Sequence, residues 1–166
     1  MNKIDLETLS LCRYDESLFC EVKEELINGI SASNFIHTIK ERLENSNNNP
    51  SFNFQSAYIV VKENNPIGYI YISGSKNDEV YLEYLVLNNF RTQGYGTLLI
   101  NEVCDYLYEI HNIKSVKLDI SPSNKNSIKL AEKCGFIFDE EDYENRNYSG
   151  NMTFIKESYC YISKRR

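Results

Sequence analysis

The stretch from Leu82 to Thr97, Leu-Glu-Tyr-Leu-Val-Leu-Asn-Asn-Phe-Arg-Thr-Gln-Gly-Tyr-Gly-Thr, constrains the fold more than any other. Leu82 to Leu87 is apolar and aromatic apart from Glu83, which predicts a strand. Leu98, Leu99 and Val103, just past Gly94 and Gly96, open a helical period. A strand, a glycine loop and a helix start in that order form an anion site. The first N–H groups of a helix have no intrahelical partner and carry partial positive charge, and glycines keep side chains away from them. Arg91 adds a fixed charge. The spacing Arg91-x-x-Gly94-x-Gly96 is neither a P-loop, since no Gly-Lys-Ser/Thr follows, nor the three-glycine dinucleotide fingerprint. On its own it also reads as a tight turn into a helix.

A chain of 166 residues fits one domain, residues 1–166, with room for a core. Hydrophobic residues at 42% and charged residues at 25% exclude a wholly disordered chain. No apolar run approaches a membrane span, and the acidic N-terminal residues Asp5 and Glu7 sit where a signal peptide has its apolar core, so a cytoplasmic protein without membrane association is expected. The net charge of -6 argues against nucleic acid as a ligand and suits a cationic or amine substrate. The five cysteines, Cys12, Cys20, Cys104, Cys134 and Cys160, are widely spaced without a Cys-x-x-Cys pair. Neither a disulfide framework nor a metal site is expected, and buried, inert thiols are.

Thr8 to Tyr14 alternates about Leu9 and Leu11 and reads as a strand, closed by Asp15-Glu16-Ser17, where Asp15 or Ser17 caps a helix. Phe19, Val22, Leu26 and Ile30, then Phe35, Ile36, Ile39 and Leu43, recur at three- and four-residue steps and predict two helices. Glu44 to Ser51 has no apolar residue and reads as a mobile loop. Ala57 to Val61 and Ile67 to Ile72 form a hairpin through Glu63-Asn64-Asn65-Pro66, and the turn Gly74 to Asp78 leads into the third of three antiparallel strands. Beyond the glycine loop come a helix ending near Asn112, a strand Ser115–Ile120, and a helix that Pro122-Ser123-Asn124 caps and Cys134-Gly135 stops. Phe136–Phe138 and Thr153–Ile162 are the last strands, separated by an acidic, Asn-rich loop from Asp139 to Asn151.

The second motif, Ser123-Asn124-x-x-Ser127-x-x-Leu130-x-x-x-Cys134-Gly135-Phe136, follows at a set distance from the first. Both motifs, in this order of elements, resemble the GNAT superfamily of acyl-CoA-dependent N-acyltransferases, and within it the ribosomal-protein alanine N-acetyltransferase type. The likeness runs from about Leu9 onward. It implies an α/β fold: a mixed, mostly antiparallel sheet of six to seven strands flanked by about four helices. It also implies acetyl-CoA as co-substrate. The backbone of Tyr84, Leu85 and Val86 would pair with the pantetheine arm where two strands splay. The loop N–H groups of Thr92, Gln93, Gly94, Tyr95, Gly96 and Thr97 would hold the pyrophosphate together with Arg91, and Asn124, with Ser127 beside it, would bond a pantetheine amide.

A protonated amine is not a nucleophile, so its proton must leave before it attacks the thioester. Asp119 and Glu83 are the candidate bases, with Asp119 first by resemblance. Both also read as solvent-facing strand residues. The family type often carries a tyrosine seven residues after the helix asparagine, where this chain has Ala131. The resemblance leaves Tyr148 or Tyr143 to protonate the leaving thiolate, or no protein group at all. The expected activity is acetyl transfer to a primary amine, either a protein N-terminus or a small amine such as a polyamine or aminoglycoside. Ala131 keeps open a non-catalytic acyl-CoA-binding regulator, while a phosphate-binding domain unrelated to acetyl transfer leaves the Asn124 segment unexplained. The acceptor carries no readable motif, and the oligomeric state, with a homodimer open, is not written in the sequence.

Overall fold

The computed structural model describes residues 3–29, 33–48, 55–74, 78–145 and 150–158, without the side chains of residues 28, 29, 143 and 145. Several expectations lie outside them: the first helix reaching Ile30, the loop from 49 to 51, the turn from 75 to 77, Tyr148, the last strand's run to Ile162, and Cys160. Among the described residues one sheet of eight strands has the order β1-β2-β3-β4-β5-β6-β8-β7. The strands are β1 (Lys3–Asp5), β2 (Ser10–Cys12), β3 (Gln55–Lys62), β4 (Asn65–Gly74), β5 (Glu79–Val86), β6 (Ser115–Ile120), β7 (Ile137–Phe138) and β8 (Met152–Glu157). Five α-helices accompany them: α1 (Glu16–Gly29), α2 (Ser33–Asn47), α3 (Tyr95–His111), α4 (Lys125–Lys133) and α5 (Glu140–Asn145). No helix among these is long and apolar enough to cross a membrane.

The mixed, mostly antiparallel sheet stands as expected, with one strand and one helix more. The extra strand is β1, too short for periodicity to reveal, which pairs with β2 through Ile4 opposite Leu11. The extra helix is α5, in the expected acidic loop. Asp139 Oδ1 accepts the Asp142 N–H at 3.0 Å as an N-cap, and Glu140, Glu141 and Asp142 place negative charge on the first turn. The polar segment read as a loop from Glu44 is helical through Asn47. Ser46 Oγ accepts the Ala57 N–H at 2.7 Å, the Ser46 carbonyl accepts from Arg13 Nη1 at 2.8 Å, and Asn47 bonds both the N–H and the carbonyl of Tyr14. Tertiary hydrogen bonds replace the apolar contacts that the sequence lacks.

Residues of even and odd number divide the sheet between two cores. Tyr58, Val60, Ile70, Ile72, Val80, Leu82, Val116, Leu118 and Ile120 face α3 and α4 with Leu99, Val103, Leu107 and Ala131. Ala57, Ile59, Val61 and Tyr69 face α1 and α2 with Phe19, Val22, Leu26, Ile39 and Leu43. The β3–β4 hairpin closes through Glu63 and Asn64, both at positive φ as a two-residue type I′ turn requires.

The site follows from one departure in pairing. β5 pairs with β4 from Val80 to Val86, but with β6, in parallel, only at Glu79, Val80 and Tyr81. Beyond Tyr81 the two strands diverge, and β6 continues paired to β8 alone. Leu82 to Val86 is therefore an open edge inside the sheet, whose outward backbone groups seek a hydrogen-bonding partner.

Candidate active site

The cavity lining maps onto that opening. One cavity of about 480 Å³ is lined by Tyr84, Leu85, Val86, Phe90, Arg91, Thr92, Gly96, Asn124, Asn126, Ser127 and Leu130, between the start of α3 and α4. A second, also about 480 Å³, lies beside α2 and is lined among others by Arg42, Tyr71, Tyr81, Glu83, Asp119 and Asn151. They share three residues, Tyr84, Asn124 and Ser127. Each has the size of a small-molecule site.

The first cavity carries the anion cradle. Helix α3 begins with Gly94 as N-cap in the left-handed region, φ 88°, without a side-chain cap, and its first intrahelical bond is Leu98 N–H to the Gly94 carbonyl at 3.0 Å. The N–H groups of Tyr95, Gly96 and Thr97 thus project from the helix end without intrahelical partners. The two glycines serve different ends. A Cβ on Gly94 would meet nothing within 4 Å, so backbone conformation alone favours glycine there, whereas a Cβ on Gly96 would stand 2.6 Å from Leu130 Cδ1, the end of a side chain that would have to shift. Arg91 is exposed and its Nε donates to the Val86 carbonyl at 2.9 Å. That carbonyl, expected to face pantetheine, is engaged by the loop. Gln93 ties back to the Asn89 carbonyl at 2.8 Å, and Thr92 stands at φ 61°. Asn124 is the N-cap of α4, its Oδ1 accepting the Ser127 N–H at 3.2 Å. A cap needs only the side-chain oxygen.

The second cavity brings together both carboxylates. Asp119, exposed on β6, accepts from Thr153 Oγ1 on β8 at 3.0 Å. Glu83, exposed on β5, takes an ion pair from Arg42 Nη1 at 2.7 Å, and the Arg42 guanidinium lies 4.2 Å from the centre of the Tyr71 ring. Burial pulls the Arg42 pKa down, but the interactions with Glu83 and Tyr69 together outweigh it and push it up, so the guanidinium stays charged. The sequence reading missed Arg42, Tyr71, Tyr81 and Asn151. The signal was there for three strands: Tyr71 and Ser73, Tyr81 and Glu83, Lys117 and Asp119 are polar at odd positions beside apolar even ones. Tyr143 belongs to α5 and Tyr148 falls outside the described residues. Ala131, where the resemblance expects a tyrosine, is fully buried in the core.

Comparison with known proteins agrees with this geometry. The chain is 26% identical over 82 residues to spermidine N(1)-acetyltransferase of Vibrio cholerae, a match covering 49% of this chain and 47% of that one. It spans about half the length of the curated relatives it matches. A ribosomal-protein alanine acetyltransferase from Vibrio fischeri superposes with a TM-score of 0.72 at 16% identity, covering 96% of this chain and 98% of that chain. A ribosomal α-N-protein acetyltransferase in complex with coenzyme A superposes with a TM-score of 0.72 at 13% identity, covering 93% and 97%. At such identities the structural likeness speaks for the fold. The model of the acetyltransferase (GNAT) family matches residues 21–136, most of the sheet and both motifs, and the chain therefore belongs to that family.

Proposed function

We propose that the protein transfers an acetyl group from acetyl-CoA to a primary amine of a small aliphatic polyamine, within a single domain. The observation that carries this is the pair of cavities meeting at the β5–β6 opening, one ending in an anion cradle and the other walled by carboxylates and tyrosines. The residues present fit acetyl-CoA. The unpaired N–H groups at the start of α3 suit a pyrophosphate, and the open edge of β5 suits an extended arm bearing amides. Bound there, the thioester supplies an activated acetyl group. Asp119 removes the ammonium proton, directly or through a water. Thr153 holds the Asp119 carboxylate in place, and Arg42 holds Glu83 in an ion pair. Two carboxylates, Glu83 and Asp119, against the one guanidinium of Arg42 suit that cavity to a cationic acceptor. The relatives that acetylate spermidine and spermine support that acceptor class.

The test is release of free CoA thiol from acetyl-CoA in the presence of spermidine, spermine, an N-terminal peptide or an aminoglycoside, with the product weighed by mass spectrometry. The polyamines are expected to turn over fastest; preference for the peptide would reassign the acceptor. Ala131 favours a second reading, a non-catalytic acyl-CoA-binding regulator. Binding of acetyl-CoA without turnover of any amine in the panel selects it.

A further inference from the structure

The three residues common to both cavities are where the thioester would sit, because the acyl group must pass from one cavity to the other. Of these, Asn124 has no hydroxyl, and its side-chain oxygen is spent on the helix cap. Ser127 and Tyr84 each carry an O–H group, and a phenol is by far the more acidic. Tyr84 also breaks the alternation of its strand: Val80 and Leu82 on the same face are apolar and buried. Its hydroxyl is buried, with Ser127 beside it but no hydrogen bond of ordinary geometry. An unpaired buried hydroxyl costs stability, which a core-filling phenylalanine would avoid. Ser127 lies against this hydroxyl, and Tyr84 and Ser127 each line both cavities, which puts the phenol at the junction.

Resting on the proposed acetyl transfer, we infer that Tyr84 is a catalytic residue whose hydroxyl donates a hydrogen bond to the sulfur of the departing CoA thiolate. The amine nitrogen forms the new C–N bond and gives up its excess proton to water, the C–S bond breaks, and the electron pair of that bond stays on sulfur. The Tyr84 O–H stabilises that charge without giving up its proton, and the thiolate takes a proton from water on release. Burial pushes the Tyr84 pKa up, with Ser127 pulling the other way, which keeps the phenol protonated and able to donate. A donor aimed at charge that develops only as the bond breaks acts on kcat rather than on binding.

The test compares wild-type protein with Tyr84→Phe and Ser127→Ala, each saturated with CoA. The thiol of bound CoA is titrated by its thiolate absorbance, against the same protein titrated alone. In wild type the bound thiol is expected to ionise about one unit below its value in Tyr84→Phe. Ser127→Ala keeps the phenol and should retain the lowered thiol value, whatever its effect on cofactor affinity. Tyr84→Phe should also lose about 10²-fold in kcat with KM for acetyl-CoA unchanged, while its melting temperature without ligand holds or rises because the unpaired hydroxyl is gone. Equal thiol pKa values in wild type and Tyr84→Phe, or a loss confined to Ser127→Ala, would overturn the assignment. Wild-type protein that binds no CoA would sink the acetyl-transfer reading itself, whereas CoA bound with an unshifted thiol sinks only the role of Tyr84.

Discussion

Asp119 lines the cavity beside α2 on a strand whose neighbours Leu118 and Ile120 are buried on the other face, so the carboxylate can be altered with little effect on the core. Asp119→Asn is expected to lower turnover by about 10²- to 10⁴-fold at neutral pH with acetyl-CoA affinity nearly unchanged. The loss should shrink as pH rises toward the pKa of the amine, where free amine forms unaided. Rates of both proteins between about pH 7 and 9.5 decide it, and a ratio near one throughout moves the role to Glu83 or solvent. Glu102 is a carboxylate of the opposite kind, buried, its two oxygens accepting the N–H groups of Thr8 and Leu9 at 3.0 Å each. Glu102→Gln keeps one acceptor and sets an amide N–H against a backbone N–H. A loss of about 1–3 kcal/mol in denaturant unfolding is expected, without change in acetyl-CoA affinity of the folded fraction.

At the scale of elements, the glycine loop gives a double test. Gly94→Ala forces a side chain into the left-handed region at a cost of roughly 1–2 kcal/mol, with no neighbour to clash. Gly96→Ala instead displaces the end of the Leu130 side chain, so its effect on stability should be coupled to that of Leu130→Ala, and that of Gly94→Ala should simply add to it. Melting curves of the single and double variants separate the two. The strands β3 to β6 and helices α3 and α4 were legible because apolar spacing, capping Asn124 and Gly135 at φ 82° all act within a few residues. Helix α4 ends as a Schellman turn, Phe136 N–H to Ala131 O and Gly135 N–H to Glu132 O, which Cys134-Gly135-Phe136 announces. What escaped depends on distant partners: the last turn of α2 is held by Ala57 and Arg13, and the cavity holding Glu83 draws Arg42 from a helix far from β5 in sequence. No local pattern encodes such contacts.

At the scale of the whole molecule, the parting of β5 from β6 leaves the two halves of the sheet joined at three residue pairs along that seam. An acetyl-CoA molecule lying along Leu82 to Val86 and reaching Asn124 would bridge the halves, and it binds only the folded chain. At a ligand concentration 100-fold above Kd the stabilisation is about 2.7 kcal/mol. For a protein of this length that corresponds to a rise in melting temperature of roughly 5–10 °C. Gly94→Asp and Gly96→Asp should each abolish the rise by setting a negative charge against the N–H groups at the start of α3, while Arg91→Ala should reduce it, since the backbone donors remain. Hydrogen exchange adds the position: ligand-dependent protection is expected in β5 from Leu82 to Val86 and in the first turn of α3, and not in the α1–α2 face of the sheet. Protection centred on α1 and α2 with an intact shift in Gly94→Asp would place the ligand elsewhere.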